Sequence, residues 1–156
     1  MVRVGAVTGP ALSLVLPALT DLQRAHPDFR AEVTVANFLA LLTDRLPADA
    51  PLQIPPPCLT DMQGEPVGYV EGQSLAMRFP VVQRYQNPIG HMQGGFIVAA
   101  LDNTLGPFSD LIAPPSVTTS LNTQYLRPVT QEMPHIVCHA RLVERTRTQL
   151  FLAGEV

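Results

Sequence analysis

Gly94, Gly95 and Asp102 are the residues of this chain whose types and spacing suggest chemistry. The two glycines stand where the apolar run Phe96-Ile97-Val98-Ala99-Ala100-Leu101 begins to read as a helix. The first amides of a helix have no acceptor within it, and the aligned peptide dipoles make that end electropositive. Glycine lets another group come close to such a backbone. A carbonyl oxygen that gains charge during acyl transfer could be held there. A plain tight turn entering a packed helix would call for the same two residues.

Asp102 lies eight residues beyond Gly94, and its helical neighbours are Val98, Ala99, Leu105 and Gly106, all apolar or small. A carboxylate buried among them costs free energy unless it is hydrogen-bonded or used. One so placed can activate water as a general base, or attack an acyl carbon itself. An aspartate on a solvent-facing part of the helix, paired with Asn103 or Thr104, fits the same pattern.

The elements that must position these groups follow from periodicity. Residues 1–46 read as helical, with Thr34 as an N-cap before Phe38, Leu39, Leu41, Leu42 and Leu46. PADAPLQIPPP, residues 47–57, is a proline-rich spacer that can be neither helix nor central strand. From about Pro66 the period becomes two: a strand around Tyr69 turns at Gly72 into Leu75, Met77, Phe79 and Val81. Residues 94–106 carry the helical pattern, which ends before Pro114-Pro115. SVTTSLNTQYL then alternates, with Thr118, Ser120, Asn122 and Gln124 on one face, and strands near 135–145 and 148–156 flank a turn at Arg147. Antiparallel strands with one long helix predict an α+β domain whose sheet curls around that helix.

Composition narrows the classes. A chain of 156 residues, 46% apolar and 15% charged, is most simply one domain with a substantial core. A net charge of −3 and no basic run leave no electrostatic footprint for nucleic acid. Cys58 and Cys138 have neither CxxC spacing nor metal-ligand company, so a reducing cytoplasm is the expected compartment. Val4–Leu19 is apolar behind Arg3, but Pro10 and Pro17 interrupt it, so a packing helix is expected there rather than a leader or a membrane span. His135 and His139 share a strand face without a third metal ligand nearby, and no metal is expected.

Asn87-x-x-Gly90-x-x-Gln93-Gly94-Gly95, Asp102, and a strand ending Tyr125-Leu126-Arg127-Pro128 together resemble the PaaI-type acyl-CoA thioesterases of the hotdog superfamily. The resemblance spans roughly residues 67–156. It implies a hotdog fold over 58–156, preceded by a helical N-terminal arm and connector over 1–57. It implies hydrolysis of an acyl-CoA to free acid and CoA, with CoA as part of the substrate, no separate cofactor, and a homodimer or homotetramer with shared sites. Asp102 matches the catalytic carboxylate, Gly94 and Gly95 the amides facing the thioester oxygen, and Asn87 a residue positioning substrate or water. Thr118 falls near a Ser/Thr position that orients water, and Arg127, Arg145 and Arg147 could meet CoA phosphates.

Two departures stand out. Gln93 replaces the usual His, and an amide cannot titrate, so no imidazole chemistry is available at that position; His91 is the neighbouring candidate. Relatives carry a further strand after the part matching Thr148–Val156, so an exposed sheet edge is expected. Hydration of enoyl-CoA, on the same fold, calls for a His five residues after the Asp, where this chain has Pro107. A non-catalytic module sensing acyl-CoA or scaffolding an assembly is the alternative to hydrolysis, and Asp102 argues against it.

Overall fold

The computed structural model describes residues 35–46 and 53–156. The expected helices before residue 35, the Thr34 cap and most of the proline-rich spacer lie outside the described residues. The elements are α1 (Val35–Arg45), α2 (Pro57–Asp61), β1 (Glu65–Val70), β2 (Ser74–Pro80), a 3-10 turn (Gln83–Tyr85), α3 (Gly94–Ile112), β3 (His135–Arg145) and β4 (Leu150–Glu155). Pro57, the last residue of the spacer, opens α2, at a helix start where its missing N–H costs nothing.

The strands form one antiparallel sheet in the order β1-β2-β3-β4. Alternation decides its inner face: Leu75 pairs with Ala140, Met77 with Cys138 and Phe79 with Ile136. All six side chains are buried, and α3 packs across β2, β3 and β4. The sheet curls around α3, as the antiparallel pattern with one long helix predicts. Gly154 lets β4 come close, because a Cβ there would stand 3.0 Å from Leu101 Cδ2 and 3.6 Å from Leu105 Cδ1. On the other flank, Phe38, Leu41 and Leu42 of α1 are buried at i, i+3 and i+4, and α1 packs on α3 and β1.

Two expectations need correction. The helix does not end at residue 106 but continues through Pro107 to Ile112. Proline removes one backbone donor and leaves the Asn103 carbonyl without its helical partner. Burial outweighs that loss: Ile97, Ala100, Leu101, Thr104, Phe108 and Leu111 form one unbroken buried stripe. Truncating the fully buried Phe108 to Ala would cost about 3–5 kcal/mol.

Residues 116–126, expected as a strand, form none and pair with no strand among the described residues. Their alternation is real, yet no described backbone group hydrogen-bonds to theirs. They run beside α3 instead, held by side chains. A cavity of about 1480 Å³ lies between this segment and β4, whose outer edge also has no partner among the described residues. No helix among the described residues is long and apolar enough to cross a membrane.

Candidate active site

The start of α3 is fixed by a turn and a stack. Asn87 Oδ1 accepts from the amides of Ile89 (3.1 Å) and His91 (3.0 Å). Its backbone N–H donates to His91 O at 2.7 Å, and Gly90, at φ +82°, donates to Asn87 O at 2.9 Å. The N-x-x-G spacing therefore builds a tight loop, and Asn87 braces it with its carbonyl oxygen. Only its Nδ2 group is left for a ligand, which narrows the positioning role expected for this residue.

Tyr85 completes the support, and sequence reasoning missed it. Its carbonyl accepts the Gln93 amide at 2.7 Å. Its ring stacks on Phe96 with centroids 4.3 Å apart, and its hydroxyl donates to Asp61 O at 2.9 Å. A lone aromatic inside QRYQN, just before two glycines, was the available signal.

Gln93 is the N-cap, with φ −62° and ψ 132°, and its carbonyl accepts from Phe96 at 2.9 Å and Ile97 at 3.4 Å. Its exposed side chain makes no capping bond. The amides of Gly94 and Gly95 have no acceptor among the described residues. The helix head thus presents two unclaimed donors at its electropositive end. Gly95 is exposed, with nothing within 4 Å of a Cβ position, whereas Gly94 is covered by Tyr125.

Asp102 is exposed rather than buried among its apolar neighbours. Val98, Ala99, Leu105 and Gly106 do flank it, but no other described element closes over the carboxylate. Asn103 and Thr104 do not pair with it: their side chains donate to Ala99 O and Ala100 O, at 3.0 and 2.8 Å. Thr118 does, its hydroxyl donating to Asp102 Oδ1 at 3.1 Å. The second carboxylate oxygen stays open to solvent.

Asp102, Thr118, Tyr125, Arg127, Arg145 and Arg147 all line the large cavity, while Asn87, Gln93, Gly94 and Gly95 do not. The candidate residues thus form two groups along one helix. Seven residues turn an α-helix through nearly two full revolutions, so Gly95 and Asp102 share a face about 10 Å apart. Of the arginines, Arg145 is already engaged, donating to Ile112 O at 2.8 Å at the far end of α3. Arg127 follows Tyr125 near the helix head, and Arg147 sits in the β3–β4 turn.

The remaining reactive side chains lie apart. Burial pushes the Cys138 thiol up to about 12, against a lesser opposing hydrogen bond with Thr104. Cys58 is exposed, with its thiol donating to Asn103 Oδ1 at 3.2 Å. His135 and His139 are exposed on the outer face of β3, and no group of three or more His, Cys, Asp or Glu gathers among the described residues.

Comparison with known proteins agrees with this architecture. Residues 89–156 match the family model described as the thioesterase superfamily. A phenylacetic acid degradation-related protein of Ralstonia eutropha JMP134 is similar at 24% identity and a TM-score of 0.60, over 74% of this chain and 86% of that one. A conserved protein of Pseudomonas aeruginosa shares 25% identity at a TM-score of 0.58, over 64% and 80% of the two chains. The PaaI protein of the Escherichia coli phenylacetic acid degradation operon shares the fold alone, at 11% identity and a TM-score of 0.55, over 64% and 80%. No curated protein matches the chain. A sheet curled around one long helix gives this chain a hotdog fold, and the segment from the loop before that helix to the last strand is similar to the thioesterase superfamily.

Proposed function

We propose that this protein hydrolyses an acyl-CoA thioester to a free carboxylic acid and CoA. The observation that carries this reading is the pairing of an exposed, threonine-tethered carboxylate with two unclaimed amides on the same helix. Asp102 takes a proton from water, whose oxygen attacks the thioester carbon. The carbonyl oxygen becomes negative and rests on the Gly94 and Gly95 amides. The tetrahedral intermediate collapses, the C–S bond breaks, and the thiolate of CoA leaves and takes up a proton. Direct attack by Asp102, giving a mixed anhydride that water then opens, uses the same groups.

One chain cannot perform this alone. Gly94 and Asp102 are separated by about 12 Å of helix rise, and a carbonyl held some 3 Å from the amides leaves its carbon out of that aspartate's reach. A two-fold dimer with antiparallel α3 helices would bring the helix head of one protomer to Asp102 of its partner, alone or as a dimer of dimers. Arg127 and Arg147, exposed and without a hydrogen-bonded partner among the described residues, suit the phosphates of CoA. The reading calls for no resident cofactor, and two free thiols suit a reducing cytoplasm.

The test is thiol release from short, long and aromatic acyl-CoAs by wild-type protein and Asp102→Asn. The variant keeps the size and the Thr118 contact but has neither base nor nucleophile, and turnover should fall about a hundredfold or more. Near-full turnover by a folded Asp102→Asn protein would refute the mechanism. Tight acyl-CoA binding without release from any substrate would favour a sensor or scaffold.

A further inference from the structure

Tyr125 is the side chain at the helix head that this mechanism leaves without a task. The segment carrying it runs antiparallel to α3: Ser116 meets Ser109, Thr118 meets Asp102, and Tyr125 reaches Gly94. A Cβ on Gly94 would lie 3.0 Å from both Cζ and Oη of Tyr125 and 3.1 Å from Cε1. The phenol edge therefore rests on the Cα of the residue that opens the helix. The same construction on Gly95 meets nothing within 4 Å. One glycine makes room for the phenol, and the other leaves the way open for substrate.

We propose that the Tyr125 hydroxyl is a third donor to the oxyanion, beside the Gly94 and Gly95 amides, and that its ring directs the acyl group across Gly95. This rests on the thioesterase reading. The Gly95 nitrogen is about 3 Å from its neighbour's Cβ position by covalent geometry, so Oη stands within roughly 6 Å of it. A single oxygen accepting from both, at about 2.7–2.9 Å each, spans that gap. Tyr125 is 56% exposed and its hydroxyl has no hydrogen bond with any described residue, so its proton is unclaimed. A carbonyl oxygen is a weaker acceptor than the oxyanion it becomes, so such a donor acts on kcat more than on binding. On the other side, the ring covers the Gly94 face and makes acyl size felt there.

Tyr125→Phe keeps the ring and removes the donor. It should lower kcat for thiol release about tenfold with KM within about twofold, while Tyr125→Ala should also shift preference toward bulkier acyl groups. A trifluoromethyl ketone analogue of the acyl-CoA, titrated by calorimetry, should bind Tyr125→Phe about tenfold more weakly than wild type. A thioether analogue lacking the carbonyl should bind both alike. Wild-type kcat and unchanged ketone affinity in Tyr125→Phe would overturn the proposal while leaving hydrolysis intact. If the wild-type chain releases no thiol from any substrate, the thioesterase reading falls. The ketone titration then decides on Tyr125 alone, and equal or absent binding to the two proteins rejects it.

Discussion

The Thr118 hydroxyl donates to Asp102 Oδ1 at 3.1 Å, tying a segment with no strand partner among the described residues to the central helix. The bond fixes one carboxylate oxygen and leaves the other without a hydrogen-bond partner among the described residues, an arrangement that would orient a base without consuming it. It also joins residues 16 apart in sequence, across the turn at Pro114-Pro115.

If that tether matters, Thr118→Val should reduce thiol release about threefold to tenfold, and Thr118→Ser should retain most of it. Valine preserves shape and removes the donor. Equal rates in all three proteins would make the contact incidental.

A shared site predicts complementation. Gly95→Asp places a carboxylate over the helix head, where its Cβ meets open space and its charge suits the dipole, so folding should survive while the oxyanion position is blocked. Gly95→Asp and Asp102→Asn chains should each be nearly inactive. In a mixed dimer one site carries both lesions and the other none, so co-refolded mixtures should recover about a quarter of wild-type activity under random pairing. No recovery, with mixed dimers verified by native mass spectrometry, would place the whole site in one chain.

Gln93 caps the helix through its backbone while its side chain stays free. Gln93→Ala should therefore lower the rate severalfold without changing the shape of the pH–rate profile, since an amide does not titrate. His91→Asn should likewise keep that shape. A lost limb in the second variant would give His91 a part in catalysis.

Asp110 offers a stability test away from the chemistry. Burial raises its carboxyl above the ordinary range, against a smaller opposing backbone hydrogen bond from Ser116. The folded state then holds this proton more tightly than the unfolded state, so the group's contribution to stability falls as pH rises through that interval and stays unfavourable above it. Asp110→Asn should raise Tm at pH 7 by on the order of 1–2 °C, modest because the group is half exposed. The gain should vanish below about pH 4. A lower Tm at neutral pH would mean that the charge is stabilising in its setting.

Much of this was legible in the residues. Period-two alternation located β2, whose Leu75, Met77 and Phe79 are buried on one face, and β3 and β4 lie where strands near 135–145 and 148–156 were expected. Gly94-Gly95 marked the helix start, since the loop, Tyr85 and Tyr125 all crowd that point. The helical pattern was read only to residue 106, whereas the burial of Phe108 and Leu111 carries the helix on past Pro107, which only the packed structure reveals. Residues 116–126 were misread for a different reason: alternation describes side chains and is silent on whether a backbone finds a partner. Whether Asp102 was covered or solvent-facing stayed open, because helical neighbours report a helix's own surface, not what packs over it.

Among the described residues no strand covers the outer edge of β4, and this bears on handling the protein. Leu150–Glu155 offers a row of amides and carbonyls without partners among the described residues, alongside Leu150, Phe151 and Leu152, with Phe151 about half exposed. Natural sheets guard such borders with lysine or proline. This chain contains no lysine at all, and β4 has no proline and one charged residue, Glu155. The border is therefore an open template for cross-β stacking, so turbidity on warming should rise steeply with protein concentration. Phe151→Lys, which places a charge on that strand, should delay it.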